Sequence, residues 1–227
     1  YTSQMSELAL YRKYRPAAFD AVVGQEPVVK VLIGALKQGQ VAHAYLFAGS
    51  RGTGKTSVAR LLAKALETHP HDLYEIDAAS NRGIDEIREL REAVRTLPFE
   101  SKYKVYIIDE AHMLTKEAFN ALLKTLEEPP THVIFILATT EVHKLPETIV
   151  SRCQQFTFRK PGLEELRTVI ARTAKQEGRE LEPAALNLIA LLGDGSYRDA
   201  LGALQQVFGA TAEKMITADL VATVSGA

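Results

Sequence analysis

The 227-residue sequence contains a single cysteine, Cys153. One cysteine can form neither an intrachain disulfide nor a cysteine-rich zinc module, and such usage fits a reducing cytosol. An excess of charge of either sign is also missing. Lys and Arg number 27 against 28 Asp and Glu, a formal net charge of -1, so no domain-wide basic field draws in nucleic acid and any DNA contact must come from a local patch. Long apolar runs are absent: stretches such as Val133 to Ala138 are far too short to cross a bilayer. The N-terminus lacks the basic-then-apolar layout of a signal peptide. A cytoplasmic protein with no membrane partner is therefore expected. Internal repeats and low-complexity tracts are not found.

Hydrophobic residues at 46% and charged residues at 24% are near globular averages, which argues against wholesale disorder or a fibrous architecture. The length suits one large domain or two small ones, each with its own core. Tyr1 to Gln4 precede Met5, a plausible native start, and are set aside from fold reasoning.

Hydrophobic periodicity predicts helices over Pro27–Leu36, Thr56–Leu66, Ile84–Val94 and Lys116–Leu126. Strands are predicted over Ala44–Ala48, Leu73–Asp77, Lys104–Asp109, Val133–Thr139 and Gln155–Phe158. Strands alternating with helices at this spacing imply a five-stranded parallel sheet covered on both faces, an α/β fold. After Pro161 the strand signal stops, and helices are predicted near Leu163–Gln176, Pro183–Leu192, Tyr197–Val207 and Thr217–Val224. The chain thus reads as an α/β domain over 5–160 and a small all-helical domain over 161–227, with Lys160-Pro161-Gly162 as hinge.

Gly49-Ser50-Arg51-Gly52-Thr53-Gly54-Lys55-Thr56 matches the phosphate-loop pattern in full and falls between a predicted strand and a predicted helix. Glycines let backbone N–H groups turn inward towards phosphate oxygens, and the helix N-terminus adds partial positive charge. Lys55 is placed to reach the β and γ phosphates and Thr56 to ligate Mg2+, with Ser57 next in the same turn. The bland alternative is a glycine-rich turn that binds nothing. Lys104 to Glu110 is an apolar strand ending in two carboxylates. At the C-terminal edge of a parallel sheet Asp109 can orient the Mg2+ shell and Glu110 can polarise the attacking water; the alternative is a solvated loop. Asp109-Glu110-Ala111-His112 also spells a helicase-like box, but no residues remain for a second motor domain of similar size.

Several longer strings carry a resemblance. Leu10 to Pro16, Val22 to Gln25, His43 to Phe47, Glu75 to Ser80, Phe119 to Pro130 and Leu137 to Thr140 are together similar to the bacterial DNA polymerase III gamma/tau family, AAA+ ATPases that drive the sliding-clamp loader. The resemblance runs from Tyr11 to about Val207. It implies that Arg12, Pro16, Val22 and Val23 pack around adenine and ribose, and that Thr139 or Thr140 is the polar sensor beside Glu110. It implies that Arg152, in Ser151-Arg152-Cys153, acts in trans on a neighbouring subunit's ATP, and that Arg198, in Tyr197 to Leu201, is the second sensor at the γ-phosphate. Always-charged guanidinium forks suit developing phosphoryl charge. Cys153 is read as a small buried residue.

Two departures accompany it. Family members commonly carry a four-cysteine zinc insertion, whereas here Lys64 to Thr68 runs almost directly into His69-Pro70-His71-Asp72; the module is either lacking or omitted from this chain. His69, His71 and Asp72 are read as solvated loop residues, with no zinc site, because a closed site wants four ligands and no cysteine is near. The family's third domain, a helical collar, would follow near Gly226, so stable oligomerisation by this stretch alone is not expected.

What the resemblance implies is an ATP- and Mg2+-dependent motor in a cytoplasmic, nucleoid-associated replisome. ATP held between sheet domain and lid sets the lid angle, and the assembled loader opens a clamp and grips primer-template DNA. Implied partners are delta, delta-prime and further gamma/tau copies, the sliding clamp and the DNA, with Arg82 a weak phosphate contact. Rival readings are a nucleotide-binding scaffold that never hydrolyses and a branch-migration helicase motor.

Overall fold

The computed structural model describes residues 8–80, 89–90 and 92–226. They cluster into two compact units, one of residues 25–50 and 54–158, the other of residues 8–24, 51–53 and 159–226.

The first unit is built on a five-stranded, all-parallel sheet in the order β2-β3-β4-β1-β5, with β1 at Ala44–Gly49, β2 at Leu73–Asp77, β3 at Lys104–Asp109, β4 at Val133–Thr139 and β5 at Gln154–Phe158. β4 is buried along its whole length and β3 in all but its last residue, which is why both read as unbroken apolar runs rather than alternating ones. Alternate residues serve opposite faces. Leu46, Tyr106, Ile108, Phe135 and Leu137 pack in one cluster with Phe119, Leu122 and Leu126 of a helix at Lys116–Glu127. Cys153 lies in that cluster, where burial pushes its thiol up to about 11. A helix at Lys55–Ala65 packs on β1, β3 and β4. Around Phe47, the rings of Phe156 and Phe158 stand 5.7 and 5.1 Å away.

The helices in this unit follow local rules. Those with bounds fixed among the described residues are, in chain order, α2 (Glu26–Gln38), α3 (Lys55–Ala65), α4 (Lys116–Glu127) and α5 (Glu147–Val150), after α1 (Leu10–Lys13) in the other unit. α2 opens with Pro27 in its first turn and stops at Gly39, whose left-handed φ of 66° only glycine adopts cheaply. α4 is capped by the Thr115 hydroxyl accepting from Ala118 N–H, and Pro129 beyond it prevents continuation. Of the helix expected over Ile84–Val94, residues 84–88 and 91 lie outside the described residues, as does Arg82; residues 89–90 and 92–94 are helical.

Before β2, a 3-10 turn at Pro70–Asp72 carries a fully buried carboxylate. Asp72 accepts from the N–H groups of Phe99 (2.6 Å), Glu100 (2.9 Å) and Ser101 (2.8 Å), pinning the loop that leads into β3. Burial raises its pKa, but the three N–H donors and the Ser101 hydroxyl more than offset this and hold the carboxyl at about 2.

The second unit contains α6 (Leu163–Gln176), α7 (Pro183–Leu192), α8 (Tyr197–Ala210) and α9 (Ala218–Ser225). Its core joins Leu166, Ile170, Ile189, Leu201, Leu204 and Val221 with Leu10 of α1. The Leu10 N–H donates to Gln205 Oε1 at 2.9 Å, and Lys13 and Tyr14 both donate to Glu177. The expectation that this part is wholly helical needs correcting: Glu180–Leu181 and Met215–Ile216 pair as a two-stranded parallel ladder, β6 and β7. Two-residue strands are too short to show a period of two.

Because the folded Asp72 carboxyl titrates below its ordinary value, its contribution is complete above about pH 4 and fades as pH falls towards 2. Asp72→Asn should lower stability at neutral pH by about 2 kcal/mol, read from urea unfolding. The gap between variant and parent should narrow on acidification through that window.

Candidate functional site

A parallel sheet delivers the C-terminal ends of all its strands to one edge. At that edge β1 ends in Gly49, β3 in Asp109 and β4 in Thr139. Gly49 has φ of 154°, and a Cβ there would lie 2.4 Å from the Phe158 carbonyl oxygen of β5; the loop can leave the sheet this tightly only through glycine. Gly54, at φ 100°, precedes the first turn of α3. Lys55 is buried, and its ammonium donates to the carbonyls of Gly49 (2.7 Å) and Ser50 (2.8 Å). The Thr56 hydroxyl donates to Asp109 Oδ2 at 2.7 Å. Ser57 follows, half-buried in the same turn.

Asp109 Oδ1 accepts from the N–H of Glu110. Glu110 itself sits at φ 49°, ψ 43°, a left-handed conformation that costs a non-glycine residue about 1–2 kcal/mol. Its Oε2 accepts from the Thr140 hydroxyl at 3.3 Å. Of the two threonines offered by the sequence, Thr140 is thus the one that touches Glu110. Thr139 is fully buried, accepts from Glu141 N–H and lies 3.0 Å from His112 Nδ1.

His112, Thr139 and Glu141 form a polar group that sequence reasoning gave no such place. The nearly buried His112 has Nδ1 3.5 Å from Glu110 Oε2 and Nε2 3.2 Å from Glu141 Oε2. The Lys144 ammonium, 2.7 Å from Glu141, holds that carboxyl below its ordinary value. The Asp109 to His112 string was visible; the partners from the end of β4 were not, since only pairing of β3 with β4 brings them near.

Arg152 makes other contacts. It donates to the Thr148 carbonyl at 2.7 Å and pairs with Glu127 at 2.8 Å, with a third of its side chain exposed.

In the second unit, residues 51–53 of the glycine loop meet the start of α8. Tyr197 N–H donates to the Gly52 carbonyl at 3.0 Å, and a Cβ on Gly52 would stand 1.9 Å from Ser196 Oγ. Arg198 lies over the Tyr11 ring at 5.5 Å, and both line a cavity of about 550 Å³ together with Arg51 and Asp199. The exposed Arg12 donates to Tyr11 Oη. Val23 accepts from Tyr197 Oη at 2.8 Å; Val22 is extended and half-buried, and Pro16 lies half-buried in the irregular stretch after α1. Arg12, Pro16, Val22, Val23 and Arg198 therefore all belong to this unit, whereas Lys55, Thr56, Asp109, Glu110 and Thr140 are assembled in the first.

These features can hold an anionic phosphate chain and a hard cation. The start of α3 offers N–H groups to anions, and Lys55 supplies a fixed charge. A hydroxyl hydrogen-bonded to a carboxylate, Thr56 with Asp109, is an oxygen donor set of the kind Mg2+ takes.

A five-stranded parallel sheet with a phosphate loop after β1 and an acidic pair after β3 defines the class as an AAA+ P-loop nucleotide-binding fold. The Thermotoga maritima RuvB Holliday junction branch migration motor shares it, with a TM-score of 0.77 at 26% identity, covering 93% of this chain and 72% of that one. The family described as "DNA polymerase III, delta subunit" matches residues 24–82 and 67–162, and the chain belongs to it. Among curated relatives, DNA polymerase III subunit tau of Bacillus subtilis is 50% identical over 223 residues, 89% of this chain and 40% of that protein. Subunit tau of Escherichia coli is 43% identical over 243 residues, 98% of this chain and 38% of that protein. Subunit gamma/tau of Mycobacterium tuberculosis is 45% identical over 233 residues, 92% of this chain and 40% of that protein. The chain spans about two fifths of the length of these relatives. Among the described residues no helix is long and apolar enough to cross a membrane.

Gly49→Ala should cost about 2 kcal/mol or more, since both φ and the Phe158 carbonyl oppose it. Gly34→Ala, in the middle of α2 with nothing within 4 Å of the added carbon, should instead stabilise by about 0.5–1 kcal/mol. Thermal unfolding of the pair checks both signs.

Proposed function

We propose that the chain is an ATPase motor module of a DNA polymerase III clamp loader. It would use ATP and Mg2+ to drive the opening of a sliding clamp and its placement on primer-template DNA. The observation that carries this is the joining of Lys55, Thr56, Asp109, Glu110 and Thr140 at one sheet edge, in a chain 43–50% identical to tau subunits. The likeness to a RuvB motor rests on the shared fold at 26% identity and does not favour a helicase.

When bound, ATP with its Mg2+ supplies a strained phosphoanhydride whose leaving charge is already partly neutralised. The chain's residues do the rest. The amides of 49–56 and the Lys55 ammonium bind the phosphates, and Thr56 and Asp109 are the residues that would hold the cation. Glu110 orients the attacking water and takes its proton, while the Thr140 hydroxyl fixes the carboxylate that does so. The left-handed backbone at Glu110 carries a local energetic cost, a pattern concentrated at working sites. Against a non-hydrolysing scaffold stands the presence of all five groups. In the family pattern Arg152 serves a neighbour's nucleotide, Arg198 senses the γ-phosphate, and Arg12, Pro16, Val22 and Val23 surround the base. Partners in the same pattern are delta, delta-prime and further gamma/tau copies.

Lys55→Ala should abolish Mg-ATP binding in calorimetry. Glu110→Gln should keep that binding and lose at least about a hundredfold in turnover; equal steady-state rates for Glu110→Gln and its parent would remove Glu110 from its role.

In a reconstituted loader with clamp and primed DNA, Arg152→Ala should retain ATP affinity yet lose DNA-stimulated hydrolysis, by a factor of about a thousand if the guanidinium acts in trans. Full stimulation in that variant would overturn the assignment, and stimulation independent of the clamp would overturn the loader reading.

A further inference from the structure

We propose that His69, His71 and Glu100 form a binding site for a zinc-type divalent ion. The sequence suggested solvated loop residues here and offered Asp72 as a third group. The structure uses Asp72 otherwise, since its carboxylate is committed to three backbone N–H groups. It brings in Glu100 from a distant part of the chain instead. One donor atom from each of His69, His71 and Glu100 lies within 4.8 Å of the other two.

The carriers of these donors are fixed by contacts independent of any ion. Asp72 holds the N–H groups of residues 99–101, and Ser101 Oγ accepts from His69 N–H at 2.6 Å, so both segments are tied backbone to side chain. Pro70 stiffens the turn between the two histidines. Their rings stand 5.0 Å apart, and His71 rests edge-on against Phe99 at 5.7 Å. His69 Nε2 is already 3.1 Å from Glu100 Oε2.

Tetrahedral zinc with bonds of about 2.0–2.1 Å to nitrogen and oxygen holds its donors about 3.3 Å apart. The His69–Glu100 pair therefore needs to open by only a few tenths of an ångström. The remaining separations close by up to about 1.5 Å, within the reach of side chains that are 39% exposed at His69 and 48% at Glu100. Two imidazoles and one carboxylate suit zinc, whereas Mg2+ and Ca2+ want oxygen donors throughout. Three protein ligands leave a fourth position for water. His69 Nδ1 accepts a long bond from His71 N–H at 3.4 Å, which puts the neutral ring's proton on Nε2, facing Glu100. Loading shifts that proton to Nδ1 and gives up the 3.4 Å contact, which is near the limit of a hydrogen bond.

The position is informative. His69 and His71 precede β2 and Glu100 precedes β3, neighbouring parallel strands, so the ion would clip together the N-terminal ends of two strands, one of which, β3, carries the acidic pair at its opposite end. It is a stabilising clip, separate from the phosphate loop and from the function proposed above.

The test is calorimetric titration of the chelator-treated chain with ZnCl2, without nucleotide or Mg2+, paralleled by Co2+ absorption. One equivalent should bind, raise the thermal midpoint and give the intense visible bands of four-coordinate Co2+. His69→Ala and His71→Ala should each weaken uptake at least tenfold. Glu100→Gln, which keeps an oxygen acceptor in place, should weaken it too without loss of far-ultraviolet dichroism. Asp109→Asn should bind as the parent does. Absence of uptake, uptake indifferent to both histidine variants, or uptake abolished by Asp109→Asn would each overturn the proposal.

Discussion

A parallel sheet buried on both faces can place chemistry only where its strands end. The faces of β3 and β4 are committed to packing, from Val105 to Ile108 and from Val133 to Ala138, and the one side-chain hydroxyl within these stretches, that of Tyr106, is buried away from solvent. What remains is the edge. There the ends of β1, β3 and β4 supply a glycine loop, a carboxylate pair and two threonines. One short hydrogen bond, Thr56 to Asp109, ties the helix after β1 to the end of β3, although β4 lies between β1 and β3 in the sheet. That tie joins the first turn of α3 to the acidic pair.

Around it, charge is arranged locally in a chain with almost no net charge. Lys55 is held by two carbonyls, Asp109 by a hydroxyl and an N–H, Glu110 by Thr140 and beside His112. Buried polar groups must be paired or they cost several kcal/mol, and here the pairing also sets orientation. Thr139 shows the economy of the arrangement: one buried hydroxyl meets both the Glu141 amide and the His112 ring, coupling the end of β4 to the segment after β3.

Much of this was legible in the chain. The periodicities of β2, β3 and β4 and of α6 and α7 fall on the observed bounds, because long apolar runs and caps are local signals. The phosphate loop and the Asp109-Glu110 pair were legible for the same reason, as contiguous strings with fixed spacing. The choice between Thr139 and Thr140 was not, since it depends on which hydroxyl the pleat turns towards Glu110. Nor was the company of His112, or the β6–β7 ladder, whose two-residue strands leave no pattern. Glu100 beside His69 is the plainest case: the two stretches are brought together by the buried Asp72 and by Ser101, and nothing in either stretch announces the other.

The two arginines outside the Thr56–Asp109 group share an energetic property that bears on their proposed roles. Arg152 is held by one carbonyl and an exposed pair with Glu127, and exposed pairs are worth about 0–1 kcal/mol. Arg198 rests on the Tyr11 ring, a contact worth about 0.5–1 kcal/mol at such sites. A guanidinium bonded bidentately in a buried network would cost far more to move. An arginine that responds to a phosphoryl group must be released from its resting partner by an interaction stronger than the one it leaves. A polyphosphate, with its several charged oxygens, exceeds either of these resting contacts, so both side chains are free in energetic terms to answer to it.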